Sequence, residues 1–192
     1  MASFNETNKR KRGYFVVSLP VIHGKVVDFV TGHTIDDTED ERYRQKLAKF
    51  LVEEKGFLRE DIQVQRELPL IVDDQSWEVK IDFAVILEGK VVMILRFAPG
   101  SIVSRERPAL AAARLLEPYE VPFAVVSNGC DAHILDTASS EVTGQSLEDI
   151  PSRAAMVSRF PELQFSQVAE ERLEKERRIL FMFEAIATCP AP

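Results

Sequence analysis

The residues whose types and spacing could do chemistry are Glu41, Glu78, Lys80 and Asp82. The chemistry they suit is metal-dependent cleavage of a phosphodiester. Carboxylates ligate a hard cation such as Mg2+ through oxygen. The cation activates water and stabilises charge on the phosphate, and a neighbouring lysine positions the water or neutralises the transition state. Asp82 and Glu41 are the candidate metal ligands. Glu78-Val79-Lys80 is a Glu-x-Lys that a strand would place on the same face as Asp82. Its plainer interpretation is a solvated rim, because a three-residue pattern recurs by chance. Cys130, Asp131 and His133 cluster after Asn128-Gly129 without a third ligand or an activating base, and suggest a turn entering an edge strand. His23 and His33 flank glycines and belong to loops. The chain has no Gly-rich phosphate loop and no recognisable Ser-His-Asp arrangement.

The frame for these side chains is the segment Trp77–Gly100. It reads as a β-hairpin: a strand from Trp77 to Leu87, a tight turn at Glu88-Gly89, and a strand from Lys90 to Phe97. Alternation assigns Val79, Ile81, Phe83, Val85 and Leu87 to one face and Glu78, Lys80 and Asp82 to the other. Val91–Leu95 is apolar without alternation, the pattern of a central strand covered on both faces. Glu41 opens a helix. Thr38-Glu39-Asp40-Glu41 is a capping box, in which the Thr38 hydroxyl accepts from the Glu41 amide and Glu41 reaches back to the Thr38 amide. Tyr43, Leu47, Phe50 and Leu51 then recur at helical spacing, and Gly56 suits the left-handed position that closes the helix.

Around this frame, Tyr14–Val30 contains two apolar stretches, YFVVSLPVI and KVVDFV, which are expected to pair as N-terminal strands. Ile62–Val72 is a further strand. A loop and helix over Ser101–Leu116 precede strands at Val121–Ser127 and Ala132–Leu135, and a final helix covers Gln164–Thr188. Strand, helix, strand order implies a crossover and a mixed α/β sheet flanked by helices. The Ile179–Phe183 run is apolar nearly all round. It either packs back onto the domain or forms a partner or dimer surface.

The composition excludes several classes. The chain has 192 residues, 45% of them hydrophobic and 29% charged, as in an ordinary globular protein able to bury a core. A net charge of −7 argues against a bulk electrostatic grip on nucleic acid. The basic run Lys9-Arg10-Lys11-Arg12 is either a nucleic-acid-contacting arm or a solvated terminus. Cys130 and Cys189 form neither a disulfide framework nor a metal pattern, no apolar run spans a bilayer, and no secretory signal follows the basic run, so a cytoplasmic protein is expected. Three segments are expected: a basic flexible N-terminus over 1–12, a central domain over 13–150, and a C-terminal helical extension over 151–192.

Several short segments carry a resemblance. They are Thr31-Gly32, Glu41-Arg42-Tyr43-Arg44-Gln45, Gly56-Phe57, Glu67-Leu68-Pro69-Leu70, Lys80-Ile81-Asp82, Ala98-Pro99-Gly100-Ser101 and Val126-Ser127-Asn128-Gly129. In this order and spacing, over about residues 30–137, the chain resembles the N-terminal domain of the type I restriction enzyme R subunit and its stand-alone prokaryotic relatives. That family is a branch of the restriction-endonuclease-like PD-(D/E)XK fold. The resemblance implies that the metal-binding Asp falls on Asp82, the helix Glu on Glu41, and a usual basic residue before the Asp on Lys80. The family's Glu-x-Lys falls on Leu95-Arg96-Phe97, and its Gln-x-x-x-Tyr on Ala111 and Leu115. Leucine cannot ligate a metal and phenylalanine cannot position water by charge. Arg96 lies between them in sequence and should point to the opposite face of its strand.

Three readings follow. The first is a restriction-endonuclease-like domain that has lost cleavage and serves as a DNA-associated or protein-interaction module, with restriction-modification-type subunits as candidate partners and no cofactor. The second is an active Mg2+-dependent nuclease using Asp82 and Glu41 with Glu78 or Lys80. The third is an oligomeric scaffold built through the Ile179–Phe183 region.

Overall fold

A computed structural model describes residues 21–73 and 75–187 of the chain. The basic run at 9–12 and most of the first apolar stretch lie outside the described residues. In chain order the elements are β1 (Lys25–Val27), β2 (Thr34–Asp36), α1 (Glu39–Lys49), β3 (Ile62–Val72), β4 (Gln75–Leu87), β5 (Lys90–Phe97), α2 (Val103–Leu115), β6 (Phe123–Ser127), β7 (Ala132–Asp136), β8 (Val142–Gly144), α3 (Arg153–Arg159) and α4 (Glu170–Ala187). Strands β3 to β8 form one sheet in sequence order. Only β5 and β6 run parallel, and α2 makes the crossover between them. This is the mixed sheet with flanking helices and a C-terminal helix that the sequence order implies.

The sheet has a core layer on each face. Helices α2 and α4 cover one, centred on Ala109–Ala113 and Leu180. Helix α1, the π-helical turn Phe50–Glu54 that extends it, and α3 cover the other, through Leu47, Ala48, Leu51 and Met156. Strand β5 serves both: Val91 and Ile94 face the α2–α4 layer, and Val92, Met93 and Leu95 face the α1–α3 layer. That explains its unbroken apolar run.

The expected single-face alternation along β4 does not hold. Val79 and Ile81 lie in the α2–α4 layer, whereas Phe83, Val85 and Leu87 lie in the α1–α3 layer. The switch occurs at Asp82 and Gln65, which drop out of a ladder that otherwise pairs Val64 with Phe83 and Arg66 with Ile81. Gln65 has φ of 49°, a left-handed backbone that shifts which face the strand presents. Strand β3 changes faces with its partner: Leu68 and Leu70 lie in one layer and Val64 packs against the other. A period-2 pattern assumes regular backbone, and this kink breaks it.

Strand β1 pairs antiparallel with β2, Val26 opposite Ile35; most of the apolar stretch expected to pair with it lies outside the described residues. Two other expectations change, at β7 and at α4. Strand β7 is not an edge, because β8 pairs along its far side. Helix α4 starts at Glu170, not Gln164. The residues before it are held as a strap: the Ser166 carbonyl accepts from the Glu120 amide at 2.8 Å, and Phe165 meets Tyr119 edge-on at 5.1 Å. Those tertiary contacts outweigh local helical preference.

Candidate functional site

Helix α1 begins where the cap places it. Thr38 Oγ1 accepts from the Glu41 amide at 3.1 Å, and Glu39, Asp40 and Glu41 sit in the first turn, where the helix dipole favours negative charge. The reciprocal half of the capping box gives way to another arrangement. Glu41 Oε2 pairs with Arg44 at 3.0 Å, and Glu41 Oε1 accepts from Gln45 Nε2 at 2.8 Å. Residues three and four apart on a helix share a face, so both partners come from the same turn.

Opposite this turn stands the kinked part of β4. Lys80, Asp82 and Phe83 line a cleft of about 660 Å3 together with Glu41 and Arg44 of α1, Gln65 of β3 and Asp28 of the loop after β1. The kink at Asp82 brings it toward α1. Its Oδ2 accepts from the Phe97 amide at 2.8 Å. Its Oδ1 lies 3.5 Å from Arg44 Nη1 and accepts from Gln65 Nε2 at 3.4 Å. Arg44 therefore joins Glu41 to Asp82, and both candidate ligands share one cleft. Burial pushes the Asp82 carboxyl above the usual carboxylate range, against the opposing pull of the Phe97 amide and of Arg44 and Arg96.

The network extends to a third carboxylate. Gln45 Nε2 also donates to Asp28 Oδ2 at 2.7 Å, and Gln45 Oε1 accepts from the Phe29 amide at 2.7 Å. Asp28 Oδ1 accepts from the Thr31 amide at 2.6 Å and the Thr31 hydroxyl at 2.8 Å. Burial opposes ionisation of Asp28, but the donors from Thr31, Gln45 and Val30 outweigh it and hold the carboxyl below its usual range. Sequence reasoning missed Asp28, Arg44 and Gln45 as members of the site. The i+3 and i+4 spacing of Arg44 and Gln45 from Glu41 was the available signal; Asp28 offered only an Asp-x-x-Thr turn.

The remaining candidates divide. Lys80 is exposed and lines the cleft. Glu78 is exposed opposite Pro69, two residues along the strand and outside the cleft lining. Leu95, at the position where the resemblance places a glutamate, is 0% exposed in the α1–α3 layer. Phe97, at the lysine position, stacks on Tyr43 with ring centroids 5.4 Å apart. Arg96 points to the opposite side and pairs with Glu184 of α4 at 2.7 Å. Ala111 is 0% exposed in the α2–α4 layer, and Leu115 packs against that layer. Elsewhere, His133 Nδ1 meets Glu106 at 2.6 Å, and Cys130 is exposed.

These donors do not fit a hard divalent cation, which takes about six oxygens. The Asp82 and Glu41 oxygens are held by Arg44, Gln45, Gln65 and the Phe97 amide. Among the described residues no group of three or more His, Cys, Asp or Glu is placed to share a metal. No described helix is long and apolar enough to cross a membrane.

A family model described as the type I restriction enzyme R protein N terminus (HSDR_N) matches residues 39–151, from the first residue of α1 to the start of the segment that leads into α3. No curated protein and no solved structure matches the chain.

Proposed function

Because the chain belongs to the family of the type I restriction enzyme R protein N terminus, we propose that it is a non-cleaving member that works as a protein-interaction module within a restriction-type assembly. One observation carries the proposal. The strand that should complete a cleavage site supplies Leu95 to the core and Phe97 to an aromatic stack, and gives the Phe97 amide to Asp82. Neither side chain ligates a cation or steers water by charge. Burial of Leu95 instead stabilises the central strand by roughly 1.5–3 kcal/mol.

The charge of the cleft favours a protein partner over a phosphate backbone. Its lining includes five carboxylates, Asp28, Asp36, Asp40, Glu41 and Asp82, against three basic side chains, Lys25, Arg44 and Lys80. Nucleic-acid grip needs the opposite balance. Restriction-modification-type subunits are the partners this family membership suggests.

The test is incubation of supercoiled and single-stranded DNA with Mg2+ or Mn2+, comparing wild type with Asp82→Ala. The expected outcome is intact DNA in both. Nicking by the wild type that vanishes in Asp82→Ala would overturn the proposal and restore an active site on Glu41, Asp82 and Lys80. A parallel anisotropy titration addresses DNA association. Tight binding that weakens steeply with salt would move the module from protein to DNA contact.

A further inference from the structure

Glu41 and Asp82 are two largely enclosed carboxylates on different elements, and a cation sits between them. That cation is the guanidinium of Arg44. Its Nε and Nη2 each lie 3.0 Å from Glu41 Oε2, and its Nη1 lies 3.5 Å from Asp82 Oδ1. The side chains are largely enclosed, at 23% exposure for Arg44, 14% for Glu41 and 10% for Asp82. A guanidinium presents several donors in one plane, which suits it to bridge two carboxylates. The donors leave little room for exchange, since the other Glu41 oxygen is taken by Gln45 and the other Asp82 oxygen by the Phe97 amide. Gln45 is itself pinned by Asp28 and the Phe29 amide.

We propose that Arg44 is a built-in counter-ion that occupies the cation position between Glu41 and Asp82, so that the cleft excludes a divalent ion in the wild type and accepts one when Arg44 is removed. The inference rests on the non-cleaving reading and deepens it: the site is closed by an internal charge as well as by the loss of a third ligand at Leu95. Removing Arg44 leaves two enclosed carboxylates without their positive partner, an arrangement that is costly unless another cation enters.

The experiment is Mn2+ binding followed by electron paramagnetic resonance and by thermal shift, on wild type, Asp82→Asn, Arg44→Met, Arg44→Lys and the double variant Arg44→Met/Asp82→Asn. Methionine keeps the aliphatic stem and deletes the charge, whereas lysine keeps the charge. The expected result is saturable binding in Arg44→Met. The Tm of that variant should rise with Mn2+. Binding should be absent in wild type and Arg44→Lys, and lost again in the double variant. Wild-type binding of Mn2+ that Asp82→Asn abolishes would overturn the proposal, and that arm needs no Arg44 variant to fold. Failure of a folded Arg44→Met protein to bind would overturn it equally. Wild-type protein that binds Mn2+ through Asp82 and still leaves DNA intact would sink the Arg44 assignment while leaving the non-cleaving reading in place.

Discussion

Asp82 and Asp28 are both buried, at 7% and 5% exposure, yet folding moves their proton affinities in opposite directions. Asp82 is dominated by desolvation; Asp28 is rescued by the donors of its turn and of Gln45. The consequences for stability are opposite. Asp82 has a folded pKa above its ordinary 3.8, so its favourable contribution is full below 3.8 and is lost as pH rises through the folded value. Asp28 has a folded pKa below 3.8, so its contribution is present above 3.8 and is lost as pH falls through the folded value. Urea midpoints measured across this range should show wild type losing ground to Asp82→Asn as pH rises. Against Asp28→Asn, wild type should lose ground as pH falls. Parallel pH profiles for the two variants would contradict this assignment. Both Asp82 and Glu41 were legible in the sequence as candidates. Their engagement with Arg44 was not, because i,i+3 spacing shows that Arg44 can reach Glu41 but not that β4 will stand on its other side.

Helix α4 shows how one polar residue secures an element. Glu176 is 2% exposed and takes Arg107 at 2.6 Å and Arg114 at 3.1 Å, with Arg172 further off at 3.7 Å. Arg114 is equally buried and also reaches Glu120 at 2.9 Å, Ser140 at 2.7 Å and the Thr137 carbonyl. Glu176→Gln removes the carboxylate shared by these arginines while Arg114 keeps Glu120, so it should cost about 1.5–3 kcal/mol. The chain has a single tryptophan, Trp77, and Phe181 of α4 meets it edge-on at 5.2 Å. Loss of helix docking is therefore visible as a red shift of Trp77 emission. Lys175→Gln, in an exposed pair with Glu171, should leave both emission and stability unchanged. A silent Glu176→Gln would show that apolar packing alone seats the helix. Sequence periodicity found α4 and its apolar run, but the buried charge cluster depends on α2 and the 137–140 loop, which meet it only in the fold.

At the scale of the whole molecule, the Ile179–Phe183 run is divided between interior and surface. Leu180 is 0% exposed within the α2–α4 layer, Phe181 lies on Trp77, and Met182 is 55% exposed. The segment beyond the family match thus completes a core layer of the domain. Phe181→Asp should lower Tm and shift Trp77 emission, because a charge there loses apolar contact and must be desolvated. Light scattering at high concentration separates this outcome from an interface role. A wild-type dimer that the same substitution splits, with Tm unchanged, would assign the run to a partner surface.

The sequence by itself determined what local spacing encodes: the Thr38 cap, the α1 stripe, the turn at Glu88-Gly89 and the two-sided burial of β5. It also carried the family, since Glu41, Lys80-Ile81-Asp82 and the Leu95/Phe97 replacements are visible as ordered words. Only the tertiary structure decided the face on which each half of β4 lies, because the kink at Gln65 and Asp82 is a property of paired strands and not of either one. It also decided that Arg44 stands between Glu41 and Asp82 while Glu78 lies outside the cleft. Distances across elements depend on how the layers pack, and no single-strand or single-helix period contains them.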